Sequence, residues 1–247
     1  MPRLLRCLNL AVTACALLNG CGPVDVKPRA SNLSAGPSLT AGTADGAGIA
    51  TLPSPPSGGR GQQGEEGNEV ISHVPDFTLT DQDSHPYARS ALDGKVWIAS
   101  FLFTRCATLC PQIAARMAEL QKTYASNPDI HLISITVDPE NDTPQVLKTY
   151  AAAHSADPAR WTFLTGPEKK IYDLIGRNGF MLGVAKTEGP ARTPGNEVTH
   201  SSRLAVVDRK GDIRGYFEGR MVDDEGRPID EVPALKILVD KLLKEKR

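Results

Sequence analysis

Residues 96–111 read VWIASFLFTRCATLCP, a bulky apolar run followed almost at once by two cysteines. The run at residues 96–103 lacks polar alternation, which is typical of a central strand buried on both faces. The next apolar residues recur at helical spacing, at Ile113, Met117, Leu120 and Tyr124. The segment therefore predicts a buried strand that passes through a cysteine-bearing loop into an amphipathic helix.

The flanking sequence extends this pattern. Further strands are predicted at residues 76–81, 130–137, 161–164, 204–207 and 213–217, the last two as a hairpin. Three further helices are predicted. One follows Thr143 and has Val146, Leu147 and Tyr150 on its inner face, and a second follows Pro167. The third carries the apolar stripe Leu235, Leu238, Val239 and Leu242. Residues 183–195 carry two prolines among polar residues and predict a long loop. The order of elements indicates an α/β sandwich with a central mixed sheet flanked by helices.

The aromatic residues define the folded part of the 247-residue chain. All 13 lie between Phe77 and Phe217, so the first 76 residues hold none and cannot build an ordinary core. One domain at residues 70–247 is therefore expected. The formal charge of −1, without a run of five like charges, gives no electrostatic reason to expect a nucleic-acid surface.

The N-terminus has the pattern of an export signal. Two arginines precede a mostly apolar stretch of about 12 residues, which is shorter than the ~20 residues a transmembrane helix needs. The signal ends in Leu18, Asn19, Gly20 and Cys21, which resembles the lipobox of bacterial lipoproteins. The sequence thus predicts a signal peptide at residues 1–20 and lipidation of Cys21. An ordinary secretory signal is the alternative.

A segment rich in glycine, proline and serine follows at residues 21–69 and includes PSPPSGG at residues 53–59. Such a composition predicts a flexible or semi-rigid tether. We therefore expect an exported bacterial lipoprotein, anchored to a membrane by its lipid and facing the periplasm or extracytoplasmic space.

Two cysteines carry the chemistry of the folded part. Of the five in the chain, two lie in the signal and one would be lipidated, which leaves Cys106 and Cys110. In an exported domain such a pair is a disulfide, a redox couple or half of a metal site. If residues 106–110 form the first turn of the helix, the two sulfurs share one face and the helix N-terminus favours their thiolate forms.

A third soft or borderline ligand is sought among the five histidines. His131 lies within a predicted strand, His154 ends a predicted helix, and His73 and His85 lie in a probable loop and turn. His200 differs because it lies just before the strand at residues 204–207, where a loop residue can reach over the end of the sheet. Two thiolates and one imidazole suit trigonal Cu(I), whereas a structural zinc site would want a fourth ligand. An ordinary packed or surface histidine remains the alternative.

Three blocks together resemble the Sco (SenC-type) family of copper-handling proteins. They are FTRCATLCP at residues 103–111, VDPENDTP at residues 137–144 and THSS at residues 199–202. The resemblance implies a thioredoxin-like fold in which Cys106, Cys110 and His200 bind copper, as Cu(I) and with Cu(II) left open. It also implies that Asp138 lies near the site in an auxiliary role; a turn residue is the alternative. Many relatives have proline after the first cysteine, where this chain has Ala107.

The resemblance further implies a role in maturing the binuclear copper centre of cytochrome c oxidase. The leading hypothesis is a copper chaperone that passes its ion to the copper-centre subunit of the oxidase, with other copper carriers or thiol reductants as further partners. The alternative is a thiol-disulfide oxidoreductase in which Cys106 and Cys110 form a disulfide when oxidised and keep the cysteines of the oxidase reduced. A thiol peroxidase on a related scaffold is a third hypothesis.

Overall fold

The computed structural model describes residues 69–245. The predicted signal at residues 1–20, Cys21 and the predicted tether up to residue 68 lie outside these residues. The strands, in chain order, are β1 (Ser72–His73), β2 (Thr78–Asp81), β3 (Pro86–Ala88), β4 (Val96–Leu102), β5 (Ile130–Thr136), β6 (Trp161–Thr165), β7 (Val184–Lys186), β8 (Val198–His200), β9 (Arg203–Val207) and β10 (Asp212–Glu218). The helices are α1 (Leu109–Thr123), α2 (Pro144–Ala153), α3 (Glu168–Ile175) and α4 (Val232–Lys244). No helix within residues 69–245 is long and apolar enough to cross a membrane.

Eight strands form one mixed sheet in the order β1-β10-β9-β4-β5-β6-β2-β3. The three central strands β4, β5 and β6 run parallel, and β9 runs antiparallel beside β4. All residues of β4 and β5 are buried, as predicted from the apolar run of β4 and the alternating sequence of β5. The predicted α/β fold with a mixed sheet flanked by helices is confirmed.

Helix α2 shows how local sequence sets the boundaries of an element. The Thr143 hydroxyl accepts a hydrogen bond from the Val146 amide, and Pro144 occupies the first turn. Leu147 is fully buried, as predicted. Val146 is 38% exposed, so its predicted place on the inner face was wrong.

The segment predicted as a long loop at residues 183–195 is partly strand. Residues of β7 pair antiparallel with β8 in a separate two-stranded sheet, with Val184 opposite His200 and Lys186 opposite Val198. The prediction failed because β7 is only three residues long and two of them are exposed, so no alternating apolar pattern marks it. His200 therefore ends a strand of this β7–β8 hairpin rather than a free loop.

The topology brings three sequence segments to one edge of the sheet. The Cys106 loop follows β4, and Asp138 follows β5, which is parallel to β4. His200 comes just before β9, whose beginning lies beside the end of β4 because the two strands are antiparallel. Ligand sites of open α/β sheets lie outside the carboxyl ends of parallel strands, and these residues occupy that position.

Candidate metal centre

The loop between β4 and α1 presents both cysteines, but not from one helical turn. Helix α1 begins at Leu109, so Cys110 lies in its first turn and Cys106 precedes it. The condition that residues 106–110 form the first turn of the helix is therefore not met at Cys106. The Thr108 side chain makes no capping hydrogen bond, and the Cys110 amide instead donates to Cys106 Sγ at 3.4 Å. The Cys106 sulfur thus replaces a side-chain oxygen as the cap of α1.

The two thiols are free, buried and electrostatically coupled. A hydrogen bond from the Cys110 thiol and from the backbone amides at the start of α1 lowers the pKa of Cys106. The same contact, together with burial, raises the pKa of Cys110. Cys106 is therefore the more acidic thiol of the pair.

His200 approaches this pair from the β7–β8 hairpin. Its Nε2 lies 3.5 Å from Cys110 Sγ, and its Nδ1 lies 3.0 Å from the carbonyl oxygen of Ser201. A carbonyl can only accept a hydrogen bond, so Nδ1 carries the proton and Nε2 presents its lone pair to the sulfur. Burial lowers the pKa of His200, which keeps the ring neutral. The Phe103 ring packs edge-on against the imidazole at a centroid distance of 5.8 Å.

The donor set suits a soft metal ion. With metal–sulfur and metal–nitrogen bonds of about 2.3 and 2.0 Å, a trigonal angle separates sulfur and nitrogen by about 3.7 Å. The observed 3.5 Å between Cys110 Sγ and His200 Nε2 is close to this spacing. No group of three or more His, Cys, Asp or Glu side chains within residues 69–245 is already arranged to hold a metal.

Asp138 lies close to the cysteine loop. Among residues 69–245 it makes no hydrogen bond to a cysteine sulfur or to an imidazole atom. It is 7% exposed, and it accepts hydrogen bonds from Arg105 Nη2 at 2.8 Å and from the Asn141 side chain. Its carbonyl oxygen also accepts the amides of Asn141 and Asp142, as in a turn. Both interpretations of Asp138 thus have a structural basis.

Sequence reasoning missed several residues that support the cysteine loop. Asp142 is fully buried and accepts hydrogen bonds from the Thr104 amide, the Thr104 hydroxyl and the Thr136 hydroxyl. Burial raises the pKa of Asp142. Arg105 and Glu197 form an ion pair of 3.1 Å between the cysteine loop and the hairpin. Asp142 lies within the VDPENDTP block, which was an available signal; Arg105 and Glu197 carried none because their pairing spans distant segments.

The other four histidines have contacts of their own. His131 is buried and contacts the Thr162 hydroxyl at 2.9 Å. His154 is the residue at the C-terminal end of α2, as predicted. His73 pairs with Asp212, and His85 lies 3.8 Å from Asp81.

The sequence matches the family model described as SCO1/SenC over residues 65–231. The chain belongs to the SCO1/SenC family. It is 36% identical over 160 residues to the SCO1 protein homolog of Bacillus subtilis, covering 64% of this chain and 78% of that protein. The predicted family resemblance is confirmed.

Solved structures of SCO1/SenC proteins share the fold. A family lipoprotein from Bacillus anthracis is 28% identical with a TM-score of 0.60, covering 72% of this chain and 99% of that one. BsSco, described as a member of the Sco family of cytochrome c oxidase assembly proteins and studied for a disulfide switch, is 29% identical with a TM-score of 0.56, covering 72% and 98%. Yeast Sco1 with copper bound is 23% identical with a TM-score of 0.55, covering 71% and 91%, a likeness of fold alone. The thioredoxin-like fold is thereby confirmed.

Proposed function

We propose that this SCO1/SenC protein binds one copper ion through Cys106, Cys110 and His200 and delivers it to the copper-centre subunit of cytochrome c oxidase. The observation that carries the proposal is the contact between His200 Nε2 and Cys110 Sγ, because it joins an imidazole to a thiol pair from a distant part of the chain. Family membership supports it, since a relative that is 29% identical is named as a member of a family of cytochrome c oxidase assembly proteins.

The protonation of the site favours uptake of Cu(I). The neutral His200 ring offers an unprotonated Nε2, and Cys106 offers a thiolate whose charge the α1 amides stabilise. Binding then needs to displace only the proton of Cys110, which leaves two thiolates and one imidazole on a monovalent ion. The soft thiolates select copper in this reduced state. Transfer would follow by exchange of these ligands for cysteines of the recipient.

Copper titration tests the donor set. The reduced, anaerobically purified protein is titrated with Cu(I) against a chelator, beside Cys106→Ser, His200→Ala and the matched control His85→Ala. His85 suits this purpose because its side chain is 75% exposed and pairs only weakly with Asp81. Wild type and His85→Ala should retain one copper per chain, and the other two variants should release it. Equal retention by all four would overturn the proposal.

A second function is favoured by the unequal acidity of the two thiols. A Cys106 thiolate beside the Cys110 sulfur is poised to attack a disulfide and to be resolved by Cys110, which would reduce the cysteines of an oxidase subunit. His200 has no required part in that reaction. Delivery of copper is tested by mixing the loaded protein with a copper-free oxidase subunit. Full oxidase assembly in cells that carry His200→Ala would favour the redox function instead.

We also propose that residues 1–20 are a signal peptide and that Cys21 is lipidated, which would tether the domain at residues 70–247 to a membrane outside the cytoplasm. The lipobox-like sequence LNGC and the lipoprotein relative from Bacillus anthracis support this. Mass spectrometry of the mature protein should find a diacylated N-terminal Cys21, and Cys21→Ser should release the protein from the membrane fraction. An unmodified N-terminus in the wild type would contradict it.

A further inference from the structure

Arg105 joins the three segments that meet at the candidate metal centre. It directly precedes Cys106, and its guanidinium contacts Asp138 Oδ2 at 2.8 Å and Glu197 Oε1 at 3.1 Å. The carboxylates come from the end of β5 and from the segment leading into β8. Their side chains are 9% and 10% exposed, whereas that of Arg105 is 44% exposed. One partly exposed cation therefore pairs with two nearly buried anions.

The Glu197 contact has a second half on the backbone. Glu197 Oε2 accepts the Gly195 amide at 2.9 Å, so each carboxylate oxygen has its own donor. Gly195 itself packs on the cysteine loop: a Cβ added there would lie 3.2 Å from the carbonyl oxygen of Arg105. The connection between β7 and β8 is thus packed closely against the cysteine loop at Gly195. Removing the guanidinium would leave buried carboxylates without their charge partner, which is costly.

The position of Glu197 gives this contact its consequence. It lies three residues before His200, and its carbonyl oxygen accepts the Thr187 amide at 2.9 Å, which closes the hairpin next to the strand that carries His200. An ion pair at Glu197 therefore restricts where His200 can lie relative to Cys110. The three residue steps from Glu197 to His200 span about 10 Å at most.

We propose that Arg105 is a positioning residue that fixes His200 over the cysteine loop by pairing at once with Asp138 and Glu197. Its effect on copper rests on the proposed function, because it requires His200 to be a ligand. Arg105 acts through His200 and does not itself bind the ion. Asp138 then has its auxiliary role through Arg105 rather than through the metal.

A double-mutant cycle tests the effect on copper in the full chain. Cu(I) affinity is measured for wild type, Arg105→Met, His200→Ala and the double variant. Arg105→Met should weaken binding about tenfold in the wild-type background and by less than about twofold when His200 is already alanine. Arg105→Lys, which can pair with one carboxylate at a time, should lie between wild type and Arg105→Met. An equal loss in both backgrounds, or no loss, would overturn the proposal, since a general loss of stability would act on both alike.

Hydrogen exchange of the metal-free protein tests the same inference without copper. The Thr187 and Ser201 amides, which bond to Glu197 and Gly183 within the hairpin, should exchange faster in Arg105→Met. The control Lys169→Met, which removes an exposed ion pair to Asp173 on α3, should leave them unchanged. Unchanged exchange in Arg105→Met would overturn the positioning role. Wild-type copper binding that is indifferent to His200 would instead overturn the proposed function, and the exchange result would still decide the role of Arg105.

Discussion

Cys110 Sγ lies 3.5 Å from His200 Nε2, although 90 residues separate the two in sequence. Cys110 also accepts the Phe103 amide at 3.4 Å and donates its amide to Cys106. Its sulfur is therefore the central atom of the group, between the thiolate of Cys106 and the imidazole of His200. The two cysteines are consequently not equivalent, and the first prediction follows from that difference.

In the metal-free reduced protein, iodoacetamide should modify Cys106 much faster than Cys110. The lowered pKa of Cys106 means that its thiolate, the reactive form, is already present at a pH well below the ~8.5 of a free cysteine. Cys110 has a raised pKa and is fully buried. Alkylation at about pH 5 to 9, followed by peptide mapping by mass spectrometry, would measure both rates. Equal rates for the two cysteines would contradict the prediction. So would a Cys106 rate that rises only at about pH 8 to 9, as expected for a free thiol with a pKa of about 8.5.

The long elements could be predicted from the sequence because each has a strong local pattern. The residues of β4 form an almost unbroken apolar run, those of β5 alternate, and α2 begins with Thr143 and Pro144, which cap it locally. The β7–β8 hairpin could not be predicted in this way. Its three-residue strands are stabilised by pairing with each other, by the Lys186 ion pairs and by Arg105, and none of these leaves a periodic signal.

The candidate site was likewise only partly predictable from the sequence. Cys106 and Cys110 stood out by their residue type, and His200 by its place before a strand, but their proximity depends on β9 running antiparallel beside β4. Sequence spacing carries no information about that pairing. A first helical turn over residues 106–110 was considered from the sequence, but Cys106 lies outside α1, and the Cys110 amide uses its sulfur as the cap of the helix.

Asp142→Ala should destabilise the protein by about 2–4 kcal/mol, because it removes the acceptor for three buried or partly buried donors on Thr104 and Thr136. Thr104 lies two residues before Cys106, so the cysteine loop should also become more mobile. Asp142→Asn keeps the shape and one oxygen acceptor and should lose less than half as much stability. Urea unfolding measures both, and a stability of Asp142→Ala equal to wild type would contradict the prediction.

His131 should make the folded protein less stable as the pH falls from 6.5 to 4. Burial, with smaller contributions from Lys95 and Arg160, lowers the pKa of His131 from 6.5 to about 4. The unfolded chain therefore binds a proton in this range that the folded protein does not. This contribution to stability is present above pH 6.5 and is lost as the pH approaches 4. The full loss is about 3 kcal/mol.

The measurement for His131 is a difference between two proteins, because carboxylates also titrate at the lower end of this range. His131→Gln can keep the hydrogen bond to Thr162 but cannot bind a proton. Urea unfolding from pH 7 to pH 4 should show a steeper decline for wild type than for His131→Gln. Parallel curves would show that His131 protonates equally in the folded and unfolded states.

Gly195→Ala should lower both the stability of the protein and its affinity for copper. Substitutions at two other glycines separate the two effects. Gly195 has a φ of +85°, which costs an alanine about 1–2 kcal/mol, and its new Cβ would press on the Arg105 carbonyl oxygen. Gly226 has a similar φ of +77° but no heavy atom within 4 Å of an added Cβ, and Gly183 has neither constraint.

Gly226→Ala should therefore lose stability and keep its copper affinity, while Gly183→Ala should change neither. Only Gly195→Ala should lose copper affinity, because only there does the added atom push the β7–β8 hairpin off the cysteine loop. Copper titration and urea unfolding of the three variants decide the matter, and a Gly195→Ala protein with the affinity of Gly226→Ala would show that the contact does not position His200.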